Sequence, residues 1–141
     1  MNTFSKPRPL DLGTLLHAAH AAEGEVEAKL NAIGLSLAKL MALKALSDGG
    51  ESMPLGQLAE RLACVKSNIT QLVDRLEADG LVARKPDPHD RRTKLAGLTA
   101  AGRKACTEGS RVQQETERAL LGRLTRDEAQ QLAALLSKVG G

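Results

Sequence analysis

Residues 58–102 read LAERLACVKSNITQLVDRLEADGLVARKPDPHDRRTKLAGLTAAG. Leu55, Leu58, Ala59 and Leu62 give one short apolar helical stripe. Ile69, Leu72, Val73 and Leu76 give a second, on a helix expected over residues 66–79 and closed by Gly80. Only about three residues separate the two helices, the spacing of a helix-turn-helix. Leu81 to Lys85 then reads as a short strand, and Asp87-Pro88-His89-Asp90 has turn chemistry. Residues 93–98 return as the second strand of a hairpin, and Thr99 caps the helix that follows. The order predicts a winged helix-turn-helix.

The flanks extend this reading. Residues 1–9 hold two prolines and no periodic pattern, the signature of an arm. Leu12, Leu15, Leu16, Ala19, Val26 and Leu30 recur at helical spacing, and Gly34 ends that first long helix. Ser36 caps a second helix carrying Leu37, Leu40, Met41 and Leu43, which Asp48-Gly49-Gly50 stops. Pro54 suits the first turn of the third helix. Past Thr99 a helix runs to about residue 123, and Thr125 and Glu128 have capping-box spacing for a last helix ending near 139. Leu120, Leu121, Leu124, Leu132, Leu135 and Leu136 exceed what one small domain needs to bury, so the terminal helices are expected to pack on a second copy. The expected fold is mainly α with a small β-hairpin, a single domain over 1–141. Within it 10–33 and 100–139 form dimerisation helices and 36–99 the winged lobe.

Composition narrows the function. Phe4 is the only aromatic residue, which argues against a base-stacking platform for single strands or RNA. The net charge is only +3, but residues 61–104 hold ten Lys or Arg against five Asp or Glu. A localised basic surface suits a polyanion, although a solvated charged face has the same composition. Two cysteines, Cys64 and Cys106, make no disulfide framework. No signal peptide or membrane-length apolar run is visible, so a cytoplasmic protein with reduced thiols and no membrane partner is expected. No phosphate loop, nucleophile motif or metal-ligand cluster stands out, so neither enzyme activity, metal nor cofactor is expected.

On the second helix of the helix-turn-helix, Lys66, Ser67, Asn68, Thr70, Gln71 and Arg75 are polar, opposite the apolar stripe. Asn68 and Gln71 suit adenine edges in a major groove, and Ser67 and Thr70 suit phosphates or bases. An ordinary amphipathic surface helix is the bland alternative. Arg91 and Arg92 stand at the hairpin tip, where arginine suits the potential of a narrow minor groove. A solvated basic turn is the alternative there.

With LAERL, SNITQLVDRLEADGLV, DPHDRR and LTAAG in this order, the chain resembles the MarR family of bacterial regulators. The resemblance implies a homodimer on double-stranded DNA, acting as a repressor at a pseudo-palindromic operator. It also implies release by a small phenolic or anionic effector held between dimerisation helices and DNA-binding lobes. Asp90 would hold a wing arginine in position. Two positions depart from the family pattern: Val65 replaces the usual serine cap and Cys64 a usual Val or Leu. The recognition helix is therefore expected to be capped by backbone, water or Ser67. Cys64 near a helix start and Lys66 could be a redox switch, giving a thiol-based oxidant sensor, or a small buried hydrophobe. Cys106 reads as helix packing. His17 and His20 share a face of the first helix and are candidate effector contacts or plain surface residues. A winged-helix protein-interaction module without DNA binding is the reading from a different class.

Overall fold

The computed structural model describes residues 9–63 and 68–141. Among the described residues the order is α1 (Leu12–Asn31), α2 (Leu37–Asp48), β1 (Ser52–Pro54), α3 (Leu55–Arg61), α4 (Ile69–Ala78), β2 (Val82–Pro86), β3 (Lys94–Leu98), α5 (Ala100–Leu121) and α6 (Arg126–Gly140). Local chemistry sets most of these boundaries. Asp11 Oδ1 accepts from Thr14 N at 2.7 Å to open α1, and Ser36 Oγ accepts from Lys39 N at 3.2 Å to open α2. Thr125 and Glu128 form a reciprocal capping box at the start of α6. The Thr125 backbone N–H holds the Glu128 carboxyl below its ordinary pKa.

The strands form an antiparallel sheet of order β1-β3-β2. The hairpin expected from the sequence is β2 and β3, with Arg84 opposite Ala96. The third strand is a correction. Ser52–Pro54 pairs with β3 through Met53 opposite Ala96, so Pro54 ends a strand and caps α3 instead of sitting in its first turn. The recognition helix also starts later than expected. Asn68 is extended, at φ −77° and ψ 112°, and α4 begins at Ile69 rather than near residue 66.

The core is aliphatic, as the lack of aromatics requires. Leu30, Leu40, Leu43, Leu46, Leu58, Val73, Leu76 and Val82 are fully buried, joined by Met53 from β1 and Ala96 from β3. Cys106 packs into the same cluster, and burial pushes its thiol pKa up. The start of α5 is pressed onto the exit of α4. Thr99 Oγ1 donates to the Gly80 carbonyl at 2.7 Å and accepts from Gly102 N at 3.0 Å, while Thr99 N donates to the Leu81 carbonyl at 3.1 Å. Gly102 is required there because a Cβ would collide with the Leu81 carbonyl.

The ends of the chain are less covered. Only Val26 and Leu30 of α1 are buried, and no residue of α6 is.

Gly102→Ala is expected to lower stability by about 1–3 kcal/mol, because the added methyl meets fixed backbone. Gly56→Ala on α3 faces open space and should raise stability by up to about 1 kcal/mol. Thermal and urea unfolding of both variants checks the pair. Equal effects would mean that Gly102 is not a contact point.

Candidate nucleic-acid interface

Helix α4 separates its surfaces by residue type. Leu72, Val73 and Leu76 are buried, which seats the helix on the domain. Asn68, Gln71 and Arg75 are exposed, and their spacing of three and four places them along one stripe. Thr70, Asp74 and Glu77 form an adjacent exposed stripe on the side of β2. Asn68 and Thr70 occupy the N-terminal end, the part of a recognition helix that usually meets base edges.

Asn68 has a structural duty that the sequence reading did not assign. Its Oδ1 accepts from Thr70 N at 3.1 Å and from Gln71 N at 3.4 Å, capping α4. The cap is thus Asn68 itself, and its side-chain NH2 is the group left to face a ligand. Lys66 and Ser67, expected to contact DNA, and Cys64, the redox candidate, lie outside the described residues.

The wing tip is built from successive turns. Asp87 N donates to the Thr93 carbonyl at 2.9 Å and closes the loop, and Thr93 N donates to the Asp90 carbonyl at 3.0 Å. Asp90 holds Arg92 through its backbone N–H and not through its guanidinium. Its Oδ1 accepts from Arg92 N at 3.0 Å and its Oδ2 from Thr93 Oγ1 at 3.2 Å. An Asx turn needs only a short carboxylate and a neighbouring N–H, which explains the bond to backbone. Arg91 and Arg92 are exposed. Among the described residues neither guanidinium has a carboxylate within ion-pair distance.

Two further features escaped the sequence reading. Ser36, Ala38 and Lys39 at the start of α2 line a groove of about 180 Å³ with Asn68, Gln71 and Arg75. Lys39 Nζ lies 2.8 Å from Asp79 Oδ2. The basic residue at the capped end of α2 is the signal that could have drawn attention to it. The second is Arg84 of β2, whose Nη2 lies 2.6 Å from Asp74 Oδ1 and whose Nη1 lies 3.3 Å from Glu77 Oε1. The Asp74 hydrogen bond holds the Arg84 guanidinium above its ordinary pKa.

Away from α4, a cleft of about 590 Å³ opens between α2 and α5, lined by Lys44, Asp48, Arg103, Cys106 and Arg111 among others. Arg103 pairs with Glu51 at 3.0 Å and Arg111 with Glu115 at 2.8 Å. His17 and His20 are exposed on α1, and neither lines this cleft nor the smaller one between α1 and α5. Among the described residues no group of three His, Cys, Asp or Glu side chains is arranged to hold a metal ion. No described helix is long and apolar enough to cross a membrane.

Comparison with known proteins agrees with this geometry. A MarR family profile matches residues 33–93. An HTH-type transcriptional regulator of Bacillus subtilis, YcgE, is 30% identical over 112 residues, 79% of this chain and 72% of that one. Two other curated relatives match over 87 and 76 residues, and the chain spans about half of their length, 56% and 43%. Among solved structures, a MarR mutant from Escherichia coli complexed with operator DNA superposes with a TM-score of 0.78 at 26% identity, covering 99% of both chains. BpsR of Bordetella bronchiseptica, described by the regulation of its DNA binding by 6-hydroxynicotinic acid, gives a TM-score of 0.79 at 26% identity, over 99% of this chain and 97% of that one. These relatives are regulators rather than enzymes. An aliphatic core that seats a polar helix beside an arginine-tipped wing, together with the match to these relatives in sequence and fold, makes this protein a member of the MarR family of winged helix-turn-helix transcriptional regulators.

Proposed function

We propose that the protein is a homodimeric repressor that sits on a pseudo-palindromic operator and is released by a small anionic ligand. The observation that carries the DNA-binding part is the pairing of an exposed Asn68–Gln71–Arg75 stripe with a wing tip whose Arg91 and Arg92 have no described carboxylate partner. Lys66, Ser67 and Thr70 complete the proposed contact set. Recognition helices take the major groove, and wing arginines suit the minor groove beside it. A dimer filling both grooves of an operator excludes other proteins from the same DNA, which is the physical basis of repression.

The dimer is supported by unpartnered apolar surface. Leu10, Leu12 and Leu16 near the N-terminus, and Leu121, Leu132, Leu135, Leu136 and Val139 near the C-terminus, are all exposed in the single chain. Leu132, Leu135, Leu136 and Val139 recur at helical spacing on α6, a 15-residue helix with no buried residue. Such a helix gains little from its own chain and much from a second copy. We assign residues 10–33 and 100–139 to that interface and 36–99 to the DNA-binding lobe. The ligand reading rests on BpsR, a 26% identical relative whose DNA binding 6-hydroxynicotinic acid regulates, and on the cations of the α2–α5 cleft. His17 and His20, on the exposed face of α1, are the proposed contacts added by the dimer.

Sedimentation at micromolar concentration should give a dimer, and Leu132→Glu with Leu135→Glu should give a monomer that keeps its helical circular dichroism. A monomeric wild type would overturn the interface.

Mobility shifts on genomic fragments, then affinities over a salt series, test the DNA contacts. Gln71→Ala should flatten the base preference at one position per half-site, since a bidentate base contact is worth roughly 1–3 kcal/mol of discrimination. Arg92→Ala should weaken operator and scrambled DNA alike and lower the salt slope by about 1 for each phosphate that the protein no longer neutralises. An unchanged operator affinity for Arg92→Ala would remove the wing from the interface.

A further inference from the structure

We propose that Arg84 is a positioning residue that fixes the angle between the wing and the recognition helix, so that Arg91 and Arg92 reach the minor groove while Gln71 occupies the major groove. The inference rests on the DNA-binding reading above. β2 is an edge strand, so the outward backbone N–H of Arg84 finds no partner in the sheet. It donates to Glu77 Oε2 at 3.1 Å. The other oxygen of Glu77 accepts from Arg84 Nη1 at 3.3 Å, and Asp74 Oδ1 accepts from Nη2 at 2.6 Å. One residue of the wing thus grips two carboxylates one turn apart on α4. The planar guanidinium fork suits such a two-point grip, and an ammonium group does not.

The rest of the hairpin is joined to α4 at its base. Leu81 N donates to the Leu76 carbonyl at 2.9 Å, and Val82 is buried. Among the described residues, no other side-chain hydrogen bond links α4 to the wing. From the base to the tip the strand and turn extend about 15–20 Å at strand rise. Over such a lever a ~10° change at the base moves the tip by about 3 Å, the length of a hydrogen bond. The grip contributes little to folding, because its three side chains are 23%, 57% and 44% exposed and exposed ion pairs are weak. Its effect is on geometry. It also engages both terminal nitrogens of the Arg84 guanidinium with carboxylates, whereas among the described residues Arg91 and Arg92 have no such partner.

The test separates positioning from charge. Arg84→Met removes the guanidinium half of the grip and one positive charge, leaving the backbone bond to Glu77, whereas Asp74→Asn with Glu77→Gln weakens the same grip and removes two negative charges. If Arg84 positions the wing, both variants lose hydroxyl-radical protection in the minor groove under the wing and keep protection under α4. Arg84→Met should bind operator about tenfold more weakly, the equivalent of about 1.4 kcal/mol. Adding Arg92→Ala to it should then weaken binding little further, because the arginine is already misplaced. Additive penalties would mean that Arg84 contacts DNA directly. Tighter binding by the double carboxylate variant with wing protection intact would mean that only charge matters. Either result overturns the proposal, and the double carboxylate variant decides it even if Arg84→Met fails to fold. Wild type that binds no DNA would instead sink the DNA-binding reading itself.

Discussion

The hydroxyl of Thr99, donating to the carbonyl of Gly80 at 2.7 Å, sits where three elements meet: α4 ends, the wing begins and α5 starts. Gly80 takes a left-handed turn, with φ at 74°, because α4 must stop and β2 must leave in a new direction. Thr99 then caps α5, and the missing side chain of Gly102 lets that helix lie on the Leu81 backbone. The junction therefore couples the reading helix, the wing and the long helix leading to the C-terminus. The start of α5 is in direct contact with the base of the wing.

This arrangement makes the division of residues intelligible. Apolar side chains of α4 seat the helix, so every polar one is available for contact or support. The polar set then splits again. Asn68 commits its oxygen to the cap, Asp74 and Glu77 hold Arg84, and Gln71 and Arg75 have no described side-chain partner. A recognition helix that carries two acids would repel phosphates if they stood alone. Pairing them with an arginine from the neighbouring strand offsets that repulsion and ties the strand down.

What could be read from the chain follows from how local each determinant is. The caps at Ser36, Thr99 and Thr125, the glycine stops at Gly34 and Gly80, and the apolar stripes of α1 to α4 all act within a few residues. The sequence therefore displayed them. β1 could not be read, because three residues ending in proline have no period, and their pairing partner, Ala96, is 43 positions from Met53. The start of α4 was misplaced because nothing in Asn68 distinguishes a cap from a base-reading amide. Asp90 was expected to hold a wing arginine in position, and the Asx turn by which it does so, through the Arg92 backbone N–H, could not be told from an ion pair. Arg84 was passed over because its partners lie seven and ten positions back, on another element.

The two ends of the chain show the same limit from the opposite side. Leucines at helical spacing on α6 announce a buried face, yet within one chain that face meets solvent. Periodicity reports that a helix needs a partner without saying whose. The partner also bears on the ligand reading. Two cations of the α2–α5 cleft are already matched within one chain, Arg103 with Glu51 and Arg111 with Glu115, whereas Lys44 donates to the carboxamide oxygen of Gln113. An anion that draws on either arginine must compete with its carboxylate, and in the proposed dimer groups from the second copy would add to its affinity. His17 and His20 lie on the exposed face of α1, within the proposed interface. In the proposed function, dimer formation and ligand response are then one physical problem. In the proposed dimer the same association would cover the leucines and contribute His17 and His20 to the ligand site, and α5, which lines the cleft, starts at the base of the wing.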